Sequence, residues 1–342
     1  MLLHVTRPGV VAPVAVDPTG RTGPTPRQSR GRAWRRTSAN RFVPATVDPS
    51  RLEQRIVEAL AVAPEGSAIT GWAALAWSGA RWFDGTAGGR DPLPVPVALD
   101  DDGTAIRSAG VLLCNDWLFE GEIVTVDGVP ATVPERSLSF AVRRARSDRE
   151  AIAQIDMAYA SNLTAPGPFG LHLARLAGRP GIRRARHAYA HADENAWSPM
   201  ESVMRCVWQE THQRPLCNVP IFDHDGNHQL TPDLFDPGAG VAGEYDGEVH
   251  QGLGPRRRDL GREELYRDMG IELVTMMSTD LRDTSAFSAR LRSAYRRSNA
   301  SGSGGGLPWT LEQPEWWVDT STVARRLALT VAEHAAWLGR RG

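Results

Sequence analysis

Residues 232–251 read PDLFDPGAGVAGEYDGEVHQ: a Pro-Asp, ten intervening residues, then Glu244-Tyr245-Asp246-Gly247 and His250. Asp236-Pro237-Gly238 is turn chemistry between two apolar runs, because proline presets φ and glycine relieves the steric limit on it. A two-residue turn at Pro237 and Gly238 pairs Asp236 with Ala239 and sets Asp233 opposite Ala242. Opposed residues share a face and strand side chains alternate with period two, so Glu244 joins Asp233 on one side. Asp246 faces that side too if the strand stays extended. Three carboxylates in one patch repel one another unless protons or a cation neutralise them. Magnesium, or manganese in its place, takes hard oxygen ligands, uses one or two protein carboxylates and keeps water. Asp233 and Glu244 are the expected metal ligands; a cation there acidifies a water for attack on phosphorus and offsets charge on the leaving oxygen.

The flanking sequence predicts helix, three strands, helix, strand, helix. Ser198-Pro199-Met200-Glu201 is a capping box with proline at the first helical position, opening the helix MESVMRCVWQETH. Glu201 either bonds the Ser198 N–H there or reaches the metal. CNVPIF and HQLTPDLF read as strands joined by a turn at residues 224–227, and GVAGEYDG as the third. RRRDLGREELYRDMG reads as helix, IELVTM as strand, and a last helix follows Ser278 or Thr279. Arg258 and Arg262, four residues apart, share a helix face. They form either a phosphate clamp or a surface ion-pair face with Asp259 and Glu263.

This motif and element order resemble the PD-(D/E)xK restriction-endonuclease-like superfamily, and within it the nuclease domains related to very short patch repair endonucleases, which carry a similar E-x-D-G-x-x-H run. The resemblance implies a mixed α/β fold, with an αβββαβα core over 189–297. It also implies magnesium-dependent hydrolysis of DNA phosphodiesters by Asp233, Glu244, Asp246 and His250, with Glu201 contributed by the first core helix. The chain departs from the pattern at one point. Where the superfamily places a catalytic lysine, two residues after the glutamate, stands Asp246, and all 39 lysine-plus-arginine residues are arginine. The amine's role falls to His250, which can hold phosphate, relay a proton or bind metal, or to Arg258 and Arg262. Arginine cannot serve as a base at neutral pH.

The amino-terminal half differs in charge. Residues 1–20 show no sustained period and are expected to be a disordered leader. Residues 21–41 hold seven arginines and no acid, so phosphate is their natural counter-ion. Gly71-Trp72-Ala73-Ala74-Leu75 and the stretch Thr132 to Ser137, TVPERS, resemble motifs of actinobacterial proteins related to AbiEi-type antitoxins. That resemblance implies a basic winged-helix-like segment over 21–48 and an AbiEi-like α+β domain over 49–185. Arg35, Arg36 and Arg41 would be the wing's phosphate contacts, and a partner protein of a toxin–antitoxin or defence system is implied. A solvated basic arm without a partner is the alternative. Residues 298–342 read as a flexible linker, SNASGSGGGLPW, and a terminal helix.

A chain of 342 residues with 41% hydrophobic residues can fill two or three cores. Its formal net charge of −1 conceals an imbalance, because residues 189–297 carry twelve arginines against eighteen acids. A domain of that sign binds DNA poorly unless metal neutralises its site and positive charge comes from elsewhere, for which the 21–41 stretch is the candidate. Cys114, Cys206 and Cys217 form no CxxC pair, which fits a reducing cytoplasm and no structural zinc. No apolar run approaches the roughly 20 residues of a membrane span. Most of the eleven tryptophans sit in apolar helical contexts and read as core rather than as a protein-binding surface. Two functions remain: a metal-dependent DNA endonuclease with an amino-terminal DNA-binding region, or a catalytically inactive nuclease-fold regulator that binds DNA.

Overall fold

The computed structural model describes residues 3–99, 110–116, 118–247, 253–300 and 306–340; His250 lies outside them, as does the side chain of Arg258. The chain divides into two units, Met1–Ala145 with Gly167–Arg186, and Arg146–Pro166 with His187–Gly342. Both mix helix and strand. Among the described residues no helix is long and apolar enough to cross a membrane.

The first unit begins with a hairpin of β1 (Trp34–Ser38) and β2 (Arg41–Pro44), which turns at Asn40 with a positive φ of 53°. Next come α1 (Leu52–Leu60), β3 (Ala68–Ile69), α2 (Gly71–Trp77) and a minimal hairpin of β4 (Thr86–Ala87) and β5 (Asp91–Pro92). Strands β6 (Val95–Ala98), β7 (Val111–Cys114), β8 (Ile123–Val126) and β9 (Val129–Thr132) lead into α3 (Pro134–Arg143). The main sheet runs β7-β6-β3-β9-β8. Ile56, Leu60, Trp77, Val97 and Val129 build its core. Residues 3–20 are not the structureless leader expected. Leu3 and Val10 are buried in the same core, Val14 pairs with Phe42, and Gln54 bonds Val11 through both N–H and C=O. Small apolar residues without period can still fill gaps in a sheet's core. Among the described residues, no pair of helices precedes the hairpin; the 3₁₀ turn Gln28–Arg30 stands there instead.

The chain then forms α4 (Asp148–Ala160), capped by Ser147, followed by α5 (Pro166–Arg175) and α6 (Ile182–His191).

The second unit continues from α7 (Pro199–Trp208), where the expected cap is present, with Glu201 N–H donating to Ser198 Oγ at 3.2 Å. Strands β10 (Leu216–Cys217), β11 (Ile221–Phe222), β12 (His228–Leu230), β13 (Leu234–Asp236) and β14 (Val241–Asp246) follow. Helix α8 (Leu253–Asp268) crosses over to β15 (Glu272–Met277), and α9 (Ser285–Ala300) returns along it. The sheet runs β10-β13-β14-β15; β14 is antiparallel to β13 and parallel to β15, the pairing a helical crossover permits. The two long strands expected here are each broken. Asn218 takes a positive φ of 46° after Cys217, and Pro220 and Pro232 have no N–H to give a ladder, so β11 and β12 leave to form their own hairpin.

Side chains alternate across this sheet. Leu234, Val241, Val274 and Met276 face α7 and α9, whereas Phe235 and Ala242 face Tyr266 of α8 and Met269 just past its end. The segment after residue 305, expected as linker and lone helix, belongs to this unit. Trp309 joins the α8-side core, Thr310 pairs with Phe222, and α10 (Val323–Leu327) and α11 (Val331–Arg340) follow. Arg326 is buried and donates to Asn162, Thr320 and Tyr159.

Candidate active site

The turn between β13 and β14 differs from expectation by two residues. Asp236 pairs with Val241, not Ala239, and Leu234 with Gly243. Asp236 Oδ1 accepts the N–H groups of Gly238 and Ala239 at 3.0 and 3.2 Å, and Gly240 takes a positive φ of 62°, so four residues rather than two make the turn. Continuing the register sets Asp233 opposite Glu244. Because the slip is even, both carboxylates stay on the same face, and it is the α8 face shared by Phe235 and Ala242.

Four neighbours hold these acids. Asp233 Oδ2 accepts the Tyr245 N–H at 2.7 Å, and its carbonyl accepts Asn218 N–H at 3.0 Å. Glu244 Oε1 accepts from Arg262 Nε at 2.6 Å and from the Tyr266 hydroxyl at 2.5 Å. Arg262 and Tyr266 lie four residues apart on one face of α8, and Arg262 also donates to the Thr231 carbonyl at 3.2 Å. Arg262 thus reaches across from α8 to the motif glutamate. Glu201 is buried at the start of α7. Its Oε2 accepts Trp197 N–H at 2.8 Å and Asn218 Nδ2–H at 2.7 Å. Asp246 ends β14 exposed, on the Glu244 side by strand period.

The electrostatic consequence of this crowding falls on Asp233. Burial, then the Glu201 carboxylate, raises the Asp233 carboxyl well above the ordinary carboxylate range; Glu244 adds to the rise, and the Tyr245 N–H and Arg262 oppose it. Tyr266 is also pushed up, by burial and by Glu244, and stays a phenol that can donate. The donor set is hard oxygen, as magnesium or manganese requires. Among the described residues no three His, Cys, Asp or Glu side chains are grouped to hold a metal between them. A cation here would rest on Asp233 and Glu244 and complete its shell with water and phosphate, a coordination that magnesium tolerates.

The three amino-terminal arginines differ in what they engage. Arg35 forms a two-pronged pair with Glu58, at 2.6 and 3.0 Å, and is not open to phosphate. Arg36 is exposed and bonds the Ser38 carbonyl; Arg41 bonds the Ala61 carbonyl. A longer basic run escaped the sequence reading. Met157 to Ala192 contains five arginines and no acid, and α6 presents Arg183 and Arg186 outward while Ile182, Ala185 and Ala188 are buried. Its signal was the absence of acids over 36 residues, diluted among apolar and small residues. Tyr266 and Asn218 were also missed. Tyr266 follows Arg262 at helical spacing, which is a usable signal; nothing local in the sequence connects Asn218 to Glu201.

Over 212 residues the chain is 31% identical to two uncharacterized proteins of Mycobacterium tuberculosis, Rv2248 of strain H37Rv and MT2308 of strain CDC 1551. The match covers 61% of this chain and 77% of each relative. No family model matches the chain, and no solved structure matches it significantly.

Proposed function

The chain belongs to one family with these two mycobacterial proteins, and we propose that it is a metal-dependent endonuclease that hydrolyses DNA phosphodiesters at Asp233, Glu244 and Arg262. One observation carries the reading: the β13–β14 register opposes Asp233 to Glu244, where burial and then Glu201 drive up the proton affinity of Asp233. Acids forced together on two paired inner strands destabilise the fold, and carboxylates perturbed in this way cluster at functional sites.

Magnesium or manganese, held by Asp233 and Glu244, would supply Lewis-acid chemistry and a water of lowered pKa. Asp233 Oδ2 is occupied by the Tyr245 N–H, which leaves Oδ1 to take up or release a proton. Arg262 stands in for the absent lysine as a fixed positive charge. Its planar fork matches a phosphate as well as a carboxylate, so it can pass from Glu244 to the scissile phosphate and offset charge there without moving a proton. Tyr266 keeps Glu244 oriented during that exchange. Exposed Arg183 and Arg186 of α6 supply backbone affinity that the acidic 189–297 segment lacks.

The test is cleavage of single-stranded, duplex and mismatched DNA with magnesium or manganese, together with calorimetry of the cation. Cleavage falls to background in Asp233→Asn and Glu244→Gln. Cation affinity rises with pH, because proton and cation compete to neutralise one cluster. Failure to bind either cation and to cut any of these substrates would remove the reading. A second reading, an inactive nuclease-fold regulator, is favoured by the engagement of Glu244 with both Arg262 and Tyr266. It predicts metal-independent DNA retention that Asp233→Asn leaves unchanged.

A further inference from the structure

Beside the carboxylates lies a cleft of about 610 Å³, inside the range of roughly 300–1,000 Å³ that small-molecule sites occupy. One wall is β10 with Asn218, a second is β12 with Thr231, and a third comes from residues 313–321 and Trp337 of α11. Arg262 lines the cleft while its Nε holds Glu244. Asn218 lines it while its amide donates to Glu201. The cleft and the carboxylate cluster therefore share two side chains.

Aromatic rings and cancelling charges make the lining. His228 and Trp317 stack with centroids 5.0 Å apart and planes 24° from parallel. Phe222 and Trp316 brace Trp317 edge-on at 5.1 and 5.6 Å. Trp197 adds another ring, fixed by its Nε1–H on Asn195 Oδ1 at 3.0 Å. The charges at the walls are paired: Asp193 with Arg214 at 2.7 Å, Asp319 with Arg325, and Arg262 with Glu244. Gln313, Thr320 and Ser321 add amide and hydroxyl groups. Flat π-faces, hydrogen-bonding groups and balanced charge suit an uncharged planar heteroaromatic ring better than a bare anion or an aliphatic chain. The guanidinium at the carboxylate end adds one point of attachment for a phosphate.

We propose that this cleft binds a single nucleotide, with its base among the Trp317, His228 and Trp197 rings and its phosphate toward Arg262. Enzymes that do chemistry on a base take it out of the stack and hold it in such a pocket, and stacking on aromatic side chains tolerates any base. The inference deepens the nuclease reading and rests on it only for the choice of a nucleotide among planar ligands.

The test is titration of the full chain with each of the four deoxyribonucleoside 5′-monophosphates, followed by tryptophan fluorescence and calorimetry, with inorganic phosphate as control. At least one nucleotide saturates the signal, and phosphate neither reproduces nor abolishes it. Trp317→Ala weakens binding by about tenfold or more, as loss of base stacking does. Gln313→Trp, which fills the cleft from an exposed position and spares the core, weakens it similarly with an unchanged unfolding midpoint. Competition by a single-stranded oligonucleotide and by a duplex with one unpaired base shows which of the two supplies the nucleotide. Absence of saturation with all four nucleotides, full displacement by phosphate, or wild-type affinity in Gln313→Trp overturns the proposal. Gln313-dependent nucleotide binding without DNA cleavage leaves it standing and removes the nuclease reading; cleavage without nucleotide binding does the reverse.

Discussion

Asp233 keeps its proton to higher pH in the folded chain than in the unfolded one, because burial and two neighbouring carboxylates penalise its charge. An acid with a raised folded pKa contributes stability that is complete below its unfolded value of about 3.9 and is lost as pH rises through the folded value. Asp233→Asn keeps an oxygen for the Tyr245 N–H and removes the charge. It is expected to raise thermal stability at neutral pH by about 0.5–2 kcal/mol, the gain usual when a strained functional group is relieved, and to change little below the unfolded pKa. An equal shift at both pH values would refute the electrostatic account. His172 shows the opposite sign. Burial, then Arg136, Arg175 and Arg143, pushes its imidazole down from 6.5 to about 4. Its stabilisation is present above the unfolded pKa and is lost as pH falls from 6.5 toward 4, at most about 3 kcal/mol, since Glu122 Oε1 lies 3.4 Å from Nδ1 and favours the charged ring. In His172→Gln, which keeps a polar partner for Ser139 (3.1 Å from Nε2), the stability curve over that interval flattens. A curve as steep as that of the wild type would sink the assignment.

The β13–turn–β14 element shows what strand periodicity can and cannot carry. That Asp233 and Glu244 share a face was legible, because period two is insensitive to an even slip. The turn length was not legible, since it depends on Asp236 accepting two backbone N–H groups and on Gly240 entering the left-handed region. The partner of Glu244 was hidden for a different reason: Arg262 stands eighteen residues on and meets it only once α8 packs on the sheet. Glycine at 243 is likewise a tertiary requirement. A Cβ there would lie 2.9 Å from Trp208 Cζ3, and the indole cannot yield easily, being fully buried and bonded through Nε1 to the Tyr295 hydroxyl at 3.0 Å, which in turn donates to Asp236 at 2.7 Å. Gly243→Ala should destabilise by about 1–3 kcal/mol in denaturant unfolding, the usual penalty for overpacking. Gly261→Ala, on the exposed side of α8 with no atom in reach of the new Cβ, should be neutral or stabilise by up to about 1 kcal/mol. If the two substitutions behaved alike, close packing of Trp208 on β14 would not be the reason for the glycine.

For the molecule as a whole, the proposed binding of a polyanion has to be reconciled with a net charge of −1. Residues 21–41 gather seven arginines in 21 residues without an acid, yet charge density along a chain does not say which guanidinium groups stay free after folding. Arg35 spends its fork on Glu58, so Arg35→Ala is expected to weaken the packing of β1 on α1 more than it weakens DNA binding. The run from Met157 to Ala192 contains no acid of its own to cancel its five arginines, and on α6 the apolar positions turn inward, leaving Arg183 and Arg186 exposed. Each phosphate contact contributes about −0.9 to the slope of log affinity against log salt. Reversing both charges, Arg183→Glu with Arg186→Glu, should therefore weaken DNA retention at low salt and make that slope shallower by about 2, uniformly across DNA sequences. The matching pair Arg36→Glu with Arg41→Glu separates the two surfaces. If the slope follows the hairpin pair and is untouched by the α6 pair, the backbone contacts belong to the winged-helix-like segment after all. If it follows α6, net charge over a folded face, rather than arginine count over a short stretch, is what directs this chain to DNA.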